Sequence, residues 1–322
     1  MTLQEFVVHW QESWDKQHSR PSTYAAHGYL LKNHILPGLG DVSLSELTEK
    51  CIGEFLEERR NFGGHRPEKP EYPGLGEETM RHIQTLLQQI LECAVQEGLM
   101  TENPARPFYR RRSKTVKAEP LTPVEVEDYL DAAEELGYQP LFLLALTAGL
   151  RQRELIALRW SDLDVKRYTL TINEGRSVVN GTLMEYSSDT RTIPLTEEMT
   201  ELLIHEHSQH LNSPWMFVNP STQRPLSPKV LRRMHSEIIQ RAGFAHVRFT
   251  DLRHTCAVNA LKNGMEVREL SQMLGHAKTT TTRWDYGSYL SQSELKREAQ
   301  QTTTELDELK RASMQMENLF DF

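Results

Sequence analysis

The chain is 322 residues long with 38% hydrophobic and 25% charged residues, the balance of a soluble globular protein with room for two ordinary domains. Its longest apolar stretch, Leu141 to Leu150, is interrupted by Thr147 and Gly149 and falls short of the roughly 20 residues a membrane helix needs. Met1-Thr2-Leu3-Gln4-Glu5 lacks the basic-then-apolar order of a secretory signal, so a cytoplasmic protein without a membrane partner is expected.

In chain order, Leu3, Phe6, Val7, Trp10 and Trp14 recur at helical spacing and predict a first helix. A second is expected after Pro21-Ser22-Thr23, capped by Ser22 or Thr23 and ending at Pro37-Gly38-Leu39-Gly40. A third is expected over about Ser45 to Arg60, with Leu47, Ile52, Phe55 and Leu56 on one face. Residues 65–76 are too rich in Pro and Gly for helix or strand and read as a loop. From Glu77 to Gly98 the helical period resumes with Met80, Ile83, Leu86, Leu87, Ile90, Leu91 and Ala94. Residues 1–105 thus form an all-helical domain.

Residues 106–118 contain Arg106, Arg110, Arg111, Arg112, Lys114 and Lys117 without an apolar period, and read as a basic interdomain linker. The net charge of −8 does not exclude nucleic acid, because phosphate binding depends on such local clusters rather than on the total. Thr122-Pro123 with Glu125 is a helix start, and helices are expected to about Trp160. Tyr168–Ile172 and Arg191–Leu195 alternate as strands, with the hairpin signal Asn180-Gly181 between them. Helices follow to residue 290, and 291–322 is a polar, acidic tail. The fold class is mainly α with a small antiparallel sheet, in two domains, 1–105 and a mixed α/β domain at 119–290. Cys51, Cys93 and Cys256 lie far apart, without the C-x-x-C spacing of a zinc site or redox pair; buried thiols are expected, and no metal or cofactor.

Three blocks of the second domain carry chemistry: Thr147-Ala148-Gly149-Leu150-Arg151-Gln152-Arg153-Glu154-Leu155, Phe249-Thr250-Asp251-Leu252-Arg253-His254-Thr255, and Leu274-Gly275-His276 with Tyr286 ten residues on. Two arginine forks can clamp the non-bridging oxygens of a phosphodiester as charge develops on them. A tyrosine hydroxyl can attack the phosphorus and store the bond energy as a phosphotyrosine. Singly, each residue has an ordinary reading: arginines in surface salt bridges, a histidine after Leu-Gly closing a helix, a tyrosine in the core.

Together the blocks resemble the arginine, (His/Lys)-x-x-Arg, His/Trp and tyrosine boxes of the tyrosine recombinases, the phage-type integrases. The first domain is similar too, through RPSTYAAHGYLLKNHILPGLGDVSLSEL and LLQQILECAVQEGLMTENPA. HAKTTTTRWDYG is similar to the longer spacing found in integrases of Gram-positive conjugative transposons and phages, which favours Tyr286 over Tyr289. The resemblance implies a two-domain C-shaped clamp on double-stranded DNA, its first domain a SAM-like core-binding module. It implies site-specific integration or excision through a 3′-phosphotyrosine, with no cofactor or metal. A homotetramer on two DNA sites is then expected, with accessory DNA-bending or directionality factors. The tail would be a segment exchanged between protomers. Arg151 and Arg253 would hold the phosphate, His276 would hydrogen-bond it or help take the nucleophile's proton, Tyr286 would attack, and Glu154 would buttress the arginines.

Two positions depart from the family pattern. Thr250 stands where a histidine or lysine usually precedes the second arginine. No lysine occurs between Lys166 and Lys229, although the family usually carries one in the hairpin as general acid. The hairpin offers Glu185 and Ser187 near that place, and Arg191 or water as substitutes. The alternative reading is therefore a sequence-specific DNA-binding protein with weakened or lost catalysis. A metal-dependent nuclease and a type IB topoisomerase are further rivals. Candidate DNA contacts are Arg20, Ser22 and Thr23 at one helix start, Thr79, Arg81 and His82 at another, and Arg110 and Arg111 in the linker.

Overall fold

The structure is a computed structural model that describes residues 1–63, 74–108, 119–179, 181–209 and 213–290, excepting the side chains of 187–189. It divides into two compact units, Met1–Val116 with Val178–Thr182, and Lys117–Ser177 with Leu183–Phe322. Among the described residues no helix is long and apolar enough to cross a membrane. The basic positions Arg110, Arg111, Arg112, Lys114 and Lys117 and the tail 291–322 lie outside the described residues.

The N-terminal unit is helical. Helix α1 (Leu3–Trp10) starts in a reciprocal cap, Thr2 Oγ1 accepting from the Glu5 amide while the Glu5 carboxylate accepts from that of Thr2. It buries Leu3, Phe6, Val7 and Trp10. The helix at Pro21–Leu30 (α2) has Arg20 as its N-cap without a side-chain bond, so neither Ser22 nor Thr23 is the cap. Pro21 occupies the first turn, and its fixed φ and missing N–H suit that position. Helical turns continue through Pro37 to Leu39. The next helix, α3 (Glu49–Phe62), begins later than the apolar spacing predicts. Thr48 accepts from the Cys51 amide and fixes the start, leaving Leu44–Glu46 as a separate 3-10 turn. The longest helix, α4 (Glu77–Gln96), buries the expected stripe of Met80, Ile83, Leu86, Leu87, Ile90, Leu91 and Ala94. Each Met, Ile and Leu of it contributes about 1.5–3 kcal/mol, which makes this stripe the spine of the N-terminal core. Arg106, at the head of the basic stretch, donates to Glu92 at 2.7 Å.

In the second unit, Thr122 and Glu125 form another reciprocal cap at the start of α5 (Pro123–Glu135). The following helix, α6 (Gln139–Ala148), buries Leu141, Phe142, Leu144, Ala145, Leu146 and Ala148. Apolar on most sides, it is a central core helix rather than an amphipathic one. The short helix α7 (Gln152–Leu155) follows. Three strands, β1 (Leu163–Asp164), β2 (Thr169–Val179) and β3 (Thr182–Pro194), form a sheet in that order, with Leu163 opposite Leu170 in an antiparallel pair. Gly181, just before β3, has φ +81°, and Asn180 of the expected turn lies outside the described residues. Its strands are longer than the alternating runs suggest, and β1 is added at the edge. Helices α8 (Glu197–Gln209), α9 (Pro228–Ala242), α10 (Phe249–Lys262), α11 (Val267–Leu274) and α12 (Thr279–Tyr286) complete the unit. The protein is thus mainly helical with a small antiparallel sheet.

Candidate active site

Helix α6 ends at Gly149, whose φ of +60° and C-cap position reverse the chain. A side chain there would also meet Leu274 Cδ2 at 2.8 Å. The reversal delivers Arg151 as the N-cap of α7, its amide donating to Glu154 Oε2 at 2.9 Å. The Arg151 guanidinium donates from Nη1 to Glu154 Oε1 at 2.8 Å and from Nη2 to the Gly275 carbonyl at 2.9 Å. Arg151 keeps 43% of its side chain exposed, while Glu154 keeps 2%. Burial alone would raise the Glu154 carboxyl, but the hydrogen bond and charge of Arg191, aided by Arg151, hold it below the usual range.

Arg253 lies on α10, whose first turn is fixed by Arg248 donating to Asp251. Its Nη1 donates to the Gly149 carbonyl at 2.6 Å, and its Nη2 donates to the Leu274 carbonyl at 2.8 Å and to His276 Nε2 at 2.9 Å. Burial, then repulsion from Arg151, brings its pKa down to about 10. His276 follows the turn at Gly275, where φ is +66°. Because Nε2 accepts from Arg253, the ring proton sits on Nδ1, which donates to the buried Thr282 Oγ1 at 2.7 Å. Burial, then Arg253 and Arg151, push the His276 pKa to about 4, so the ring is neutral at physiological pH.

Tyr286 ends α12 and is 6% exposed, packed with Ala257, Val258, Leu261, Val267, Leu270 and Leu274. Burial raises its phenol above the ordinary value against the pull of Arg253. The His254 ring lies 5.2 Å from that of Tyr286, and its Nε2 is 3.3 Å from Tyr289 Oη. The other tyrosine of the segment is therefore engaged with His254.

The structure brings Arg151, Arg253, His276, Glu154 and Arg191 together around the Leu274–His276 turn, with Tyr286 in the same cluster as Leu274. Thr250 is exposed on the first turn of α10, three residues before Arg253. Glu185, near the place expected for a hairpin lysine, sits in a separate ion-pair cluster. It accepts from Arg159 at 2.9 Å and lies 3.5 Å from Arg176, and both guanidinium carbons stand 4.1 Å from the Trp215 ring centroid. Of the N-terminal candidates, Arg20 and Thr23 are exposed, Thr79 is half-buried, and Arg81 is paired with Glu78. Sequence reasoning missed Thr282, which nothing separates from its neighbours in Thr279-Thr280-Thr281-Thr282. Only its place on the buried side of α12 marks it.

An exposed and a half-buried arginine joined through one turn, a neutral histidine and a sheltered tyrosine on a helical scaffold with a small sheet define a tyrosine-dependent DNA strand-exchange enzyme. The phage integrase family model matches residues 119–290, and the N-terminal SAM-like domain model of phage integrases matches residues 2–58. The chain belongs to the phage integrase family and is a tyrosine site-specific recombinase. It is 30% identical to the prophage phiRv2 integrase of Mycobacterium tuberculosis over 83% of this chain and 70% of that one. Its identity to the integrase of Mycobacterium phage L5 is 26%, over 86% and 72% of the two chains. Its fold matches that of the Tn1549 transposon integrase at 16% identity with a TM-score of 0.74, covering 94% of this chain and 99% of that one. Lambda integrase matches at 19% identity and a TM-score of 0.65, covering 88% and 77%.

Proposed function

We propose that Tyr286 cleaves one strand of double-stranded DNA at a specific site, with Arg151 and Arg253 gripping the scissile phosphate and His276 handling the phenol proton. The observation that carries this reading is the Arg253 fork. Its bonded acceptors are two carbonyls and the His276 lone pair, acceptors that an anionic phosphate would outcompete. As Arg253 turns to phosphate, Nε2 of His276 is freed. The phosphate charge also offsets the repulsion that depresses His276, making it a better base. The Tyr286 oxygen then bonds phosphorus as the bond to the 5′-oxygen breaks, and that oxygen takes a proton from water, leaving a 3′-phosphotyrosine and a 5′-hydroxyl. Attack by a partner strand's 5′-hydroxyl reverses these steps in a new connection, so the covalent bond conserves the energy.

Residues 119–290 are the catalytic domain in this reading, 1–105 the core-binding domain, and 106–118 the linker whose Arg110 and Arg111 approach phosphates. Arg20 and Thr23 are better placed for DNA than Thr79 or the paired Arg81. The related solved structures include a Tn1549 integrase in complex with a circular intermediate DNA and a lambda integrase tetramer bound to a Holliday junction. By analogy, a tetramer of this chain on two DNA sites exchanges the strands in the cytoplasm, with accessory factors choosing direction.

The test is a nicked duplex cut from the ends of the mobile element, which traps any covalent intermediate. The expected outcome is a denaturation-resistant protein–DNA adduct that disappears in Tyr286→Phe and persists in Tyr289→Phe. An adduct retained in Tyr286→Phe assigns the nucleophile elsewhere. Specific binding without any adduct favours a DNA-binding protein that has lost catalysis.

A further inference from the structure

We propose that Arg191 is a positioning residue of the cleavage step: it fastens the turn carrying His276 to the carboxylate that holds Arg151, and so sets the spacing of the phosphate clamp. This rests on the reading of Arg151, Arg253 and His276 as the clamp.

Arg191 lies on β3, and its side chain is only 9% exposed. Its Nε donates to the Met273 carbonyl at 2.7 Å. Its two outer nitrogens fork over Glu154, Nη1 to Oε1 at 3.1 Å and Nη2 to Oε2 at 2.8 Å. Arg151 grips the same carboxylate and also reaches the Gly275 carbonyl. The result is a closed circuit from Arg191 to Met273, along the turn to Gly275, back through Arg151 to Glu154 and so to Arg191. The sheet thereby holds the two halves of the site at a fixed separation. Gly275 carries a second mark of the arrangement. A side chain there would come within 2.7 Å of Arg191 Nη1, and its φ is +66°, so both space and conformation demand glycine.

The hairpin lacks the lysine that would protonate the leaving 5′-oxygen, and Arg191 is the hairpin cation bonded to the same carboxylate as Arg151, which makes it the one to consider for the task. Its geometry argues against it. A guanidinium keeps its proton at working pH, and this one directs all three of its nitrogens at fixed acceptors. Its planar fork does what an ammonium cannot, binding a carboxylate in two places while a third N–H reaches a carbonyl.

The experiment uses the full chain with Arg191→Lys, Arg191→Gln and Gly275→Ala, and two versions of the nicked duplex. One has the natural bridging oxygen at the scissile phosphate, the other a 5′-bridging sulfur. With sulfur, the bond from Tyr286 oxygen to phosphorus forms as the phosphorus–sulfur bond breaks. The thiolate leaves without a proton, because thiols ionise near pH 8.5, roughly. The expected result is adduct formation slowed on the order of 10–100-fold in all three variants, equally on both substrates, with DNA affinity within about threefold of the unaltered chain as the clamp, not the binding surface, has moved. In the DNA-free protein, the His276 ring signals of Arg191→Gln are expected to titrate at higher pH than in the unaltered chain. Full recovery on the sulfur substrate would instead make Arg191 the proton donor and overturn the proposal. Unchanged rates on both substrates, or losses that vanish on cooling below the variant's melting transition, would overturn it as well. If the unaltered chain forms no adduct on either substrate, the assignment of the clamp itself fails, and the proposal with it.

Discussion

Asp15 in the N-terminal unit and Arg253 in the second unit are both ionisable side chains withdrawn from water, yet their partners differ in kind. Asp15, fully buried, receives the Ser19 hydroxyl at 2.5 Å and lies 2.9 Å from His27 Nδ1. Ser19 lies one turn on and His27 in the following helix, and both are bound through Oδ1, while Oδ2 is buried without a hydrogen-bond partner. Arg253 bonds only to carbonyls and a neutral ring. The carboxylate beside it, Glu154, is divided between Arg151 and Arg191. Of the three guanidinium groups, two therefore bond one carboxylate and Arg253 bonds none. The first arrangement ties helical segments of the fold together; the second, in the proposed function, leaves positive charge for an anionic phosphate to complete.

Damage to the two regions is expected to separate cleanly. Trp10 is 1% exposed in the N-terminal core and stacks on Trp14 at 5.8 Å. Trp10→Ala is expected to cost about 3–5 kcal/mol of stability, the range for truncating a large buried aromatic, read as a lowered denaturation midpoint. With saturating DNA at low temperature, the folded variant should form adduct within about threefold of the unaltered rate. A chemical defect as deep as that of an Arg253 variant would show that the N-terminal core also shapes the site.

Arg253→Lys attacks the other region. Lysine keeps the charge but loses the planar fork that reaches Gly149, Leu274 and His276 together. Adduct formation is expected to fall by about 10²–10³, the usual loss when one preorganised donor to a developing oxyanion is removed. The melting shift should be smaller than for Trp10→Ala, because water can take the freed acceptors. A rate within tenfold of the unaltered chain would mean that charge alone, not the fork, stabilises the phosphate.

Much of this was legible in the sequence where the signal is local and periodic. The α4 stripe and the Thr122 cap follow from spacing and capping chemistry alone. The clamp residues were legible only as an ordered set of boxes, since Arg151 and Arg253 are about a hundred positions apart and meet through the Gly149 and Gly275 turns. What stayed hidden depends on tertiary contacts. Arg191 stood in the sequence as a candidate proton donor, and only its bonds to Met273 and Glu154 show a different use. Ser22 and Thr23 have good capping chemistry, but Pro21 sets the first turn before them and shifts the cap to Arg20. Nothing local distinguishes Thr282 from the three threonines before it.

Thr282 also gives the finest test of the division between fold and reaction. Its hydroxyl accepts the His276 Nδ1 proton at 2.7 Å, and this bond keeps the Nε2 lone pair turned toward Arg253. Thr282→Val preserves the shape and removes the acceptor, so it should cost about 1 kcal/mol at neutral pH. Nitrogen-detected spectra should show His276 changing from one tautomer to a mixture, with adduct formation slowed by roughly tenfold, the lower end of losses when a general base is misdirected. The ring's low pKa should survive, because its main causes are burial and the two arginines. The sign of the pH effect follows from that. The folded ring resists protonation down to about pH 4, whereas an unfolded histidine takes a proton near pH 6.5, roughly. The unfolded state therefore binds more protons across this window, and stability is lost as pH falls through it, in the variant as in the unaltered chain. If Thr282→Val abolishes that slope, the hydroxyl holds the ring neutral and the arginines do not.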